Sequence, residues 1–192
     1  MSDNIQQDLL DYCKSGDANK VKDLLKDPRV DPSDRNNFAI RYSSENGHID
    51  VVRELLKDPR VDPSDHNNWA IRLSSENGHT DVVRELLKDK RVDPSDLDNW
   101  AIRSSSENGH IDVVRELLKD SRVDPCDRNN YAIKSASDRG HIDVVRELLK
   151  DPRINKSKLL NSDITDKLRN EVLGYLTEVR DGLIDKVLDT DI

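Results

Sequence analysis

Aromatic residues are scarce in this sequence, and its 192 residues include only one methionine and two cysteines. Aromatic side chains make up 4% of the chain and hydrophobic residues 34%, whereas charged residues make up 36%. A compact domain with a single core normally has a larger apolar fraction, because large apolar side chains supply most of its buried surface. The composition therefore predicts either partial disorder or a narrow, elongated core that serves a large surface.

Three further absences restrict the function. Lys and Arg number 31 against 39 Asp and Glu, and no segment gathers the basic residues, so we expect no binding to nucleic acid or to an anionic membrane. No stretch approaches the roughly 18 apolar residues of a membrane-spanning helix, and the first residues form no basic and apolar leader. Cys13 and Cys126 are too far apart to indicate a disulfide framework. We expect a soluble protein of the cytoplasm.

The strongest pattern is an internal repeat, because the sequence superimposes on itself when it is shifted by 31 residues. Glycines, aromatic residues and Asp-Pro pairs each recur in a fixed phase. The glycines are Gly16, Gly47, Gly78, Gly109 and Gly140, the aromatic residues are Phe38, Trp69, Trp100 and Tyr131, and the prolines are Pro32, Pro63, Pro94 and Pro125. Chance does not align three such sets, so the elongated core is the better interpretation.

The first half of one unit, residues 31–61, predicts a turn followed by a short helix. Asp, Pro, Ser and Asn residues form the turn, and Asn36 or Asn37 is expected to cap a helix over about residues 38–46. Gly47 is expected to end this helix in the left-handed conformation, which glycine adopts without steric cost.

The second half of the unit predicts a second helix over about residues 50–57. Val51 and Leu55 share one face, and Val52 and Leu56 share the neighbouring face, which gives a stripe wide enough for two partners. One such unit buries too little apolar surface to offset its conformational entropy. The units are therefore expected to stack side by side into an all-α helix-turn-helix solenoid.

The segment from Asn37 to Leu56, with its Gly-His pair followed by Val-Val and Leu-Leu, resembles the ankyrin repeat. An aromatic-Ala-Ile-Arg run replaces the usual Thr-Pro-Leu-His, as in the variant common in large DNA viruses of protists and in some amoebal proteins. The resemblance covers residues 8–154. It implies an ankyrin-type solenoid with an N-terminal capping repeat (1–30), four repeats of 31 residues (31–154) and a C-terminal helical cap or tail (155–192). A viral origin would place the protein in the host cell cytoplasm.

Two features depart from the family's usual pattern. The repeat has 31 residues instead of 33, and the phase of the family's tetrapeptide His holds Arg41, Arg72, Arg103 and Lys134. That His organises the turn in typical members, so the hydrogen bonding of the turn is left open.

The tail after Ile154 loses the repeat register but keeps an apolar stripe with helical spacing. Ser162 or Asp163 is expected to cap this helix, and Gly174 and Gly182 are expected to divide it into two. The tail either covers the last repeat or forms a docking or self-association helix. The stripe consists of Ile164, Leu168, Val172, Leu176, Val179, Leu183 and Val187.

No residue pattern indicates catalysis, a metal site, a cofactor or a small-molecule substrate, so we expect a protein that is not an enzyme. The histidines recur once per repeat, which separates them by about one repeat spacing and prevents them from sharing one ion, so a structural role at the helix junction is expected. No Gly-x-Ser-x-Gly elbow and no glycine-rich phosphate loop is present. The histidines are His48, His79, His110 and His141.

Positions that vary between units are free for recognition, whereas positions identical in all units are set by stacking. The turn tips and parts of the first helix vary, and the resemblance implies that both lie on a concave binding face. These candidate partner-binding residues are the tips Arg35, His66, Leu97 and Arg128, the helix positions Tyr42, Leu73, Asn46, Asn77, Asn108 and Arg139, and the acidic row Glu45, Glu76, Glu107 and Asp138.

The hypothesis for this face is a partner protein with a partly basic surface, which the acidic row steers and the aromatic residues contact. The aromatic residues Phe38, Trp69, Trp100 and Tyr131 keep a fixed phase, so packing between units is the alternative to partner contact. Two other functions stay open: an adaptor whose C-terminal helices engage host machinery while the repeats hold a target, and a structural spacer or assembly element without a dedicated ligand.

Overall fold

The computed structural model describes residues 5–189, with side chains described up to residue 182, so the stripe positions Leu183 and Val187 lie outside the described side chains. Residues 5–189 form twelve helices and no strand, which confirms the predicted all-α class. The helices are α1 (Ile5–Ser15), α2 (Ala18–Leu24), α3 (Asp34–Glu45), α4 (Ile49–Leu56), α5 (Asp65–Glu76), α6 (Thr80–Leu86), α7 (Asp96–Glu107), α8 (Ile111–Leu118), α9 (Asp127–Arg139), α10 (Ile142–Lys150), α11 (Lys156–Leu160) and α12 (Asp166–Asp189).

The helices form two parallel layers. The first helix of each pair contacts the first helix of the next pair, from α1 through α3, α5 and α7 to α9. The second helices α2, α4, α6, α8 and α10 form the other layer in the same way, and α12 packs against α9 and α10. Because the main contacts of each pair are with its neighbours in sequence, the molecule is a solenoid, as predicted.

The core lies between the two layers and repeats with the sequence. In one unit the first helix contributes Ala39 and Ile40, and the second helix contributes Val51, Val52 and Leu55. The last four of these side chains have no exposed surface, which places the predicted apolar stripe between neighbouring units. A core of medium-sized aliphatic side chains needs few aromatic residues, and this explains the composition.

The first helix of each repeat begins with a left-handed turn that the sequence did not predict. Arg35, Asn36 and Asn37 have φ values of 51°, 57° and 56°, so the regular right-handed helix begins at Phe38. Asn37 stands directly before the right-handed helix, as the predicted cap would, but its side chain bonds to Asp65 and to the Asp62 amide of the next turn and not to an amide of its own helix. Asparagine is nevertheless suited to the turn, since it enters the left-handed region more readily than other side chains.

Glycine ends the first helix as predicted. Gly47 has a φ of 73°, and the equivalent glycines of the other units are also left-handed. His48 follows as the N-cap residue of α4, and its ring takes no part in capping.

The tail differs from its predicted form in two respects. Residues 166–189 form one continuous helix, so the prediction that Gly174 and Gly182 divide it is wrong. Ser162 and Asp163 do not cap it either, because Thr165 Oγ1 accepts the hydrogen bond from the Leu168 amide at 3.3 Å. An interior glycine weakens a helix by only about 1 kcal/mol, which leaves the helix intact where the flanking residues favour it.

Candidate functional site

The candidate site is the face formed by the left-handed turns and the first helices, and arginine holds each of its first three turns in shape. Arg41 Nε donates to Asn36 O at 2.8 Å, and its Nη2 donates to Arg35 O at 3.0 Å. Arg72 and Arg103 make the equivalent pairs of bonds in the next two repeats. The guanidinium therefore organises the turn whose hydrogen bonding the sequence left open.

The same arginines alternate with the aromatic residues along the face. The Arg41 and Arg72 guanidinium carbons lie 5.5 and 5.4 Å from the centre of the Trp69 ring. Trp100 lies between Arg72 and Arg103, each at 5.7 Å. Phe38 and Tyr131 end the row, 5.8 Å from Arg41 and 5.4 Å from Arg103. We call this row of four rings and three guanidinium groups the cation–π ladder.

The ladder shows that the aromatic residues pack between adjacent repeats, since each shared guanidinium joins two rings of neighbouring units. They also keep accessible surface, because Trp100 and Tyr131 remain 37% and 39% exposed. Arg72 at the centre of the ladder is nearly buried, and this burial lowers the pKa of its guanidinium, although nearby Asp96 and Glu76 oppose the shift. Interior packing and an accessible ring edge therefore coexist at these positions.

Asparagine side chains connect each turn to the next one. Asn68 Oδ1 accepts the Asp93 amide and its Nδ2 donates to Asp96 Oδ2, both at 2.8 Å. Asn37 and Asn99 make the same two bonds to the turns that follow them. Sequence reasoning assigned these residues to local caps because a fixed phase does not show whether a polar side chain bonds within its unit or across to the next.

The histidine row has the structural role that was predicted. His79 Nε2 lies 3.0 Å from Glu45 O, and His110 Nε2 lies 2.9 Å from Glu76 O, so each ring joins its repeat to the preceding first helix. Because a carbonyl oxygen only accepts, Nε2 carries the proton in these bonds. Within the described part of the chain, no group of three or more His, Cys, Asp or Glu side chains could hold a metal ion.

The acidic row divides into two parts. Glu107 is paired, because Arg139 Nη2 donates to it at 2.6 Å and the Tyr131 hydroxyl donates at 3.1 Å. The hydrogen bond from the Tyr131 hydroxyl to Glu107, together with burial, raises the pKa of the Tyr131 phenol. In contrast, the carboxylates of Glu45 and Glu76 make no hydrogen bond or ion pair with the residues that the structure describes.

The turn tips are all exposed, and three of them are engaged at the surface. Arg35 Nε lies 3.6 Å from Asp34 Oδ2. Arg128 forms an ion pair with Asp98 of the preceding turn, and the His66 ring lies 5.4 Å from the Trp69 ring. Leu97 is 43% exposed. Three described side chains of the acidic row, those of Glu45, Glu76 and Asp138, form no ion pair, whereas Glu107 is paired with Arg139.

Two sets of ionic contacts on other faces were not predicted. Asp58 pairs with Arg60, whose Nη2 lies 2.6 Å from Asp58 Oδ2. Arg60 Nη1 donates to Val30 O of the preceding unit at 2.7 Å. Along the second helices, Arg84 of α6 bonds to Glu116 of α8 at 2.9 Å. The second set recurs at Arg53–Glu85, Arg115–Glu147 and Arg146–Glu178, and we call it the Arg–Glu row. The sequence signal for both sets is the fixed phase of these charges, which by itself fits a solvated surface equally well.

Between residues 5 and 189, no helix is both long enough and apolar enough to cross a bilayer. Residues 9–98 match the family model for ankyrin repeats, in three copies. No curated protein matches the chain.

Proposed function

We propose that this chain, in which residues 9–98 match the ankyrin repeat family, binds a partly basic partner protein on the face formed by its turns and first helices. Ankyrin repeats generally mediate protein–protein interaction and are typically non-enzymatic. In the proposed complex the acidic row attracts the partner, and the exposed edges of the cation–π ladder supply apolar contact area.

The observation that carries the proposal is the position of the unpaired carboxylates. Glu45 and Glu76 are the last residues of α3 and α5, where the negative end of the helix dipole disfavours an anion. Their backbone carbonyls are fixed by the histidine bonds, whereas their carboxylates form no ion pair with a described residue; the Arg72 guanidinium is near Glu76 without pairing with it. Residues that weaken their own helix without compensation are typical of binding sites.

The turn tips support the same face. Arg35, His66, Leu97 and Arg128 occupy the first left-handed position of their turns, with φ values of 51°, 57°, 51° and 48°. A residue other than glycine or asparagine costs about 1 kcal/mol or more in this conformation. The variety of large side chains at a strained, exposed position favours a role in recognition.

A peptide-display experiment tests the proposal with random peptides in place of the partner. The full chain is used to select from a library of random peptides, and we expect the selected peptides to be enriched in Lys and Arg. Neutralising the unpaired carboxylates with Glu45→Gln and Glu76→Gln should lower the association rate of the selected peptides by about tenfold at low salt, because the steering charge is removed.

The matched control is the double variant Asp50→Asn and Asp81→Asn. These carboxylates stand at the starts of α4 and α6, on the other layer, and removing them changes the net charge by the same amount. The control should bind the selected peptides at the wild-type rate. Peptides without a basic bias, or equal rates for the two double variants, would contradict the proposal.

A further inference from the structure

The Arg–Glu row continues into the tail, which shows that the repeat register persists past Ile154, contrary to the sequence prediction. Glu147 and Glu178 are separated by 31 residues, and each forms an ion pair with an arginine of the preceding second helix. Arg115 contacts Glu147 at 3.3 Å, and Arg146 contacts Glu178 at 3.0 Å. The segment of α12 around Glu178 therefore lies where the second helix of a further repeat would lie.

The same register assigns the apolar residues of this segment to stacking positions. Leu176 and Val179 follow Val145 and Leu148 by 31 residues, and Val145 and Leu148 have no exposed surface because they are packed between units. In α12, Leu176 is 37% exposed and Val179 is 43% exposed. Leu173, one turn earlier, is 48% exposed. We call Leu173, Leu176 and Val179 the end face; they form an i, i+3 row on α12.

We propose that the end face is a homodimer interface, in which it packs against the end face of a second copy of this chain. The interface continues the stacking that joins the repeats: apolar residues in the stacking phase meet apolar residues of another second-layer helix. Uncovered, three neighbouring large apolar side chains on a single helix are an unusual surface for a chain whose other stacking residues are buried.

The charges around the end face permit this contact. Glu178 is paired with Arg146, and Arg180 Nε lies 3.0 Å from Asp181 Oδ1. Both pairs are satisfied within one copy, so bringing two end faces together does not require an unpaired charge to be buried.

Among the described surfaces of this chain, the one that matches the end face is the end face of a second copy. At the N-terminal end of the array, no large apolar side chain among residues 5–30 is as exposed as those of the end face, so a head-to-tail stack would offer less accessible apolar surface. The other exposed apolar side chains, Leu97, Trp100 and Tyr131, lie among ionised residues on the turn face. A two-fold arrangement is therefore favoured, with Leu176 near the axis because it lies midway between Leu173 and Val179.

Analytical ultracentrifugation of the full chain tests the proposal. The apparent mass should rise from 22.0 kDa towards twice that value as the concentration increases over a range of about 1 to 500 μM, which spans the affinities of small interfaces. Leu176→Asp should raise the dissociation constant at least about tenfold, because two carboxylates would meet near the axis. Leu97→Asp, which changes an equally accessible leucine on the turn face, should dimerise like the wild type.

A charge-swap experiment identifies the two-fold contact itself. Leu176→Asp and Leu176→Lys should each be monomeric when measured alone, and a mixture of the two should form a one-to-one dimer, since opposite charges then meet at the axis. Circular dichroism with a wild-type spectrum would show that both variants are folded. A wild-type chain that stays monomeric over the whole range, equal effects of Leu97→Asp and Leu176→Asp, or a mixture that stays monomeric would each overturn the proposal.

Discussion

The imidazole ring of His79 lies directly against Gly47 of the preceding repeat. A Cβ atom placed on Gly47 would lie 2.6 Å from His79 Nδ1 and 2.8 Å from its Cε1, which is closer than carbon side chains approach in proteins. The glycine is thus required twice, once for its left-handed φ of 73° and once for the ring that bridges to Glu45 O. Stacking and helix termination are coupled at this junction.

Replacing this glycine should be more harmful than its backbone conformation alone implies. We expect Gly47→Ala to lower the free energy of unfolding by about 2 kcal/mol or more, because the strain of alanine at positive φ adds to displacement of the His79 ring. Urea unfolding measures the change. Gly174→Ala is the control: this glycine lies inside α12 with open space around it, so alanine should stabilise the helix by up to about 1 kcal/mol. A loss below about 1 kcal/mol for Gly47→Ala would contradict a separate steric contribution from the ring.

The junction illustrates how far the sequence predicts this fold. The 31-residue spacing and the glycine phase were sufficient to predict the helix pairs, their order and the stacked core, because helix ends and apolar stripes are local patterns. The left-handed turn, the Asn68 bridges and the cation–π ladder were not predicted, since each depends on which side chains of neighbouring repeats come into contact. The same limit hid the repeat phase of Glu178, because the residues around it no longer resemble the repeat.

The side-chain amide of Asn68 should be essential to the contact between the second and third turns. Asn68→Asp removes the Nδ2 donor and places a second carboxylate beside Asp96, so we expect it to lower the free energy of unfolding by about 2 kcal/mol at neutral pH. Asn67→Asp is the matched control, because Asn67 is the preceding left-handed residue and its side chain is exposed. Asp98 already stands at the equivalent position of the next repeat, so this control should unfold like the wild type. Equal losses for the two variants would show that the bridge contributes nothing specific.

Acid should destabilise the solenoid by protonating the aspartates that form two-point contacts with the arginine two residues later, such as Asp89 with Arg91. The hydrogen bonds from Arg91 lower the pKa of Asp89 below its usual 3.8, and Arg122 does the same for Asp120. Since the folded-state pKa is the lower one, the unfolded chain binds protons first as the pH falls. This contribution is therefore complete above about pH 3.8 and disappears as the pH drops through the folded-state value.

The double variant Asp89→Asn and Asp120→Asn tests this pH dependence. Its free energy of unfolding should be lower than that of the wild type near neutral pH, and it should decline less steeply between about pH 5 and pH 2. Chemical unfolding at a series of pH values gives both quantities. Asp50→Asn combined with Asp81→Asn, which removes two exposed carboxylates of the second helices, should retain a steeper decline than the Asp89→Asn and Asp120→Asn variant. Parallel pH profiles for the Asp89→Asn and Asp120→Asn variant and the wild type would refute the assignment.

Neighbouring serines in the core provide a last test, because they differ in hydrogen bonding and not in burial. Ser74 and Ser75 have no exposed surface, but Ser74 Oγ donates to Ile71 O at 3.2 Å whereas Ser75 Oγ has no partner within the described chain. An unpaired buried hydroxyl opposes folding, so Ser75→Ala should raise the free energy of unfolding by about 1 kcal/mol. Cys13, a weakly polar residue, occupies the same phase in the first unit and is also buried, which agrees with this expectation.

Ser74→Ala should lower the free energy of unfolding instead, by roughly 0.5 to 1 kcal/mol, because it removes a hydrogen bond that is made. Both variants keep the backbone helix and change the side-chain volume equally, so packing effects cancel in the comparison. Urea unfolding of the two variants and the wild type, measured side by side, therefore isolates the hydroxyl. If Ser75→Ala were destabilised as much as Ser74→Ala, the Ser75 hydroxyl would have to be hydrogen-bonded in solution, and the row of unpaired serines would not oppose stacking.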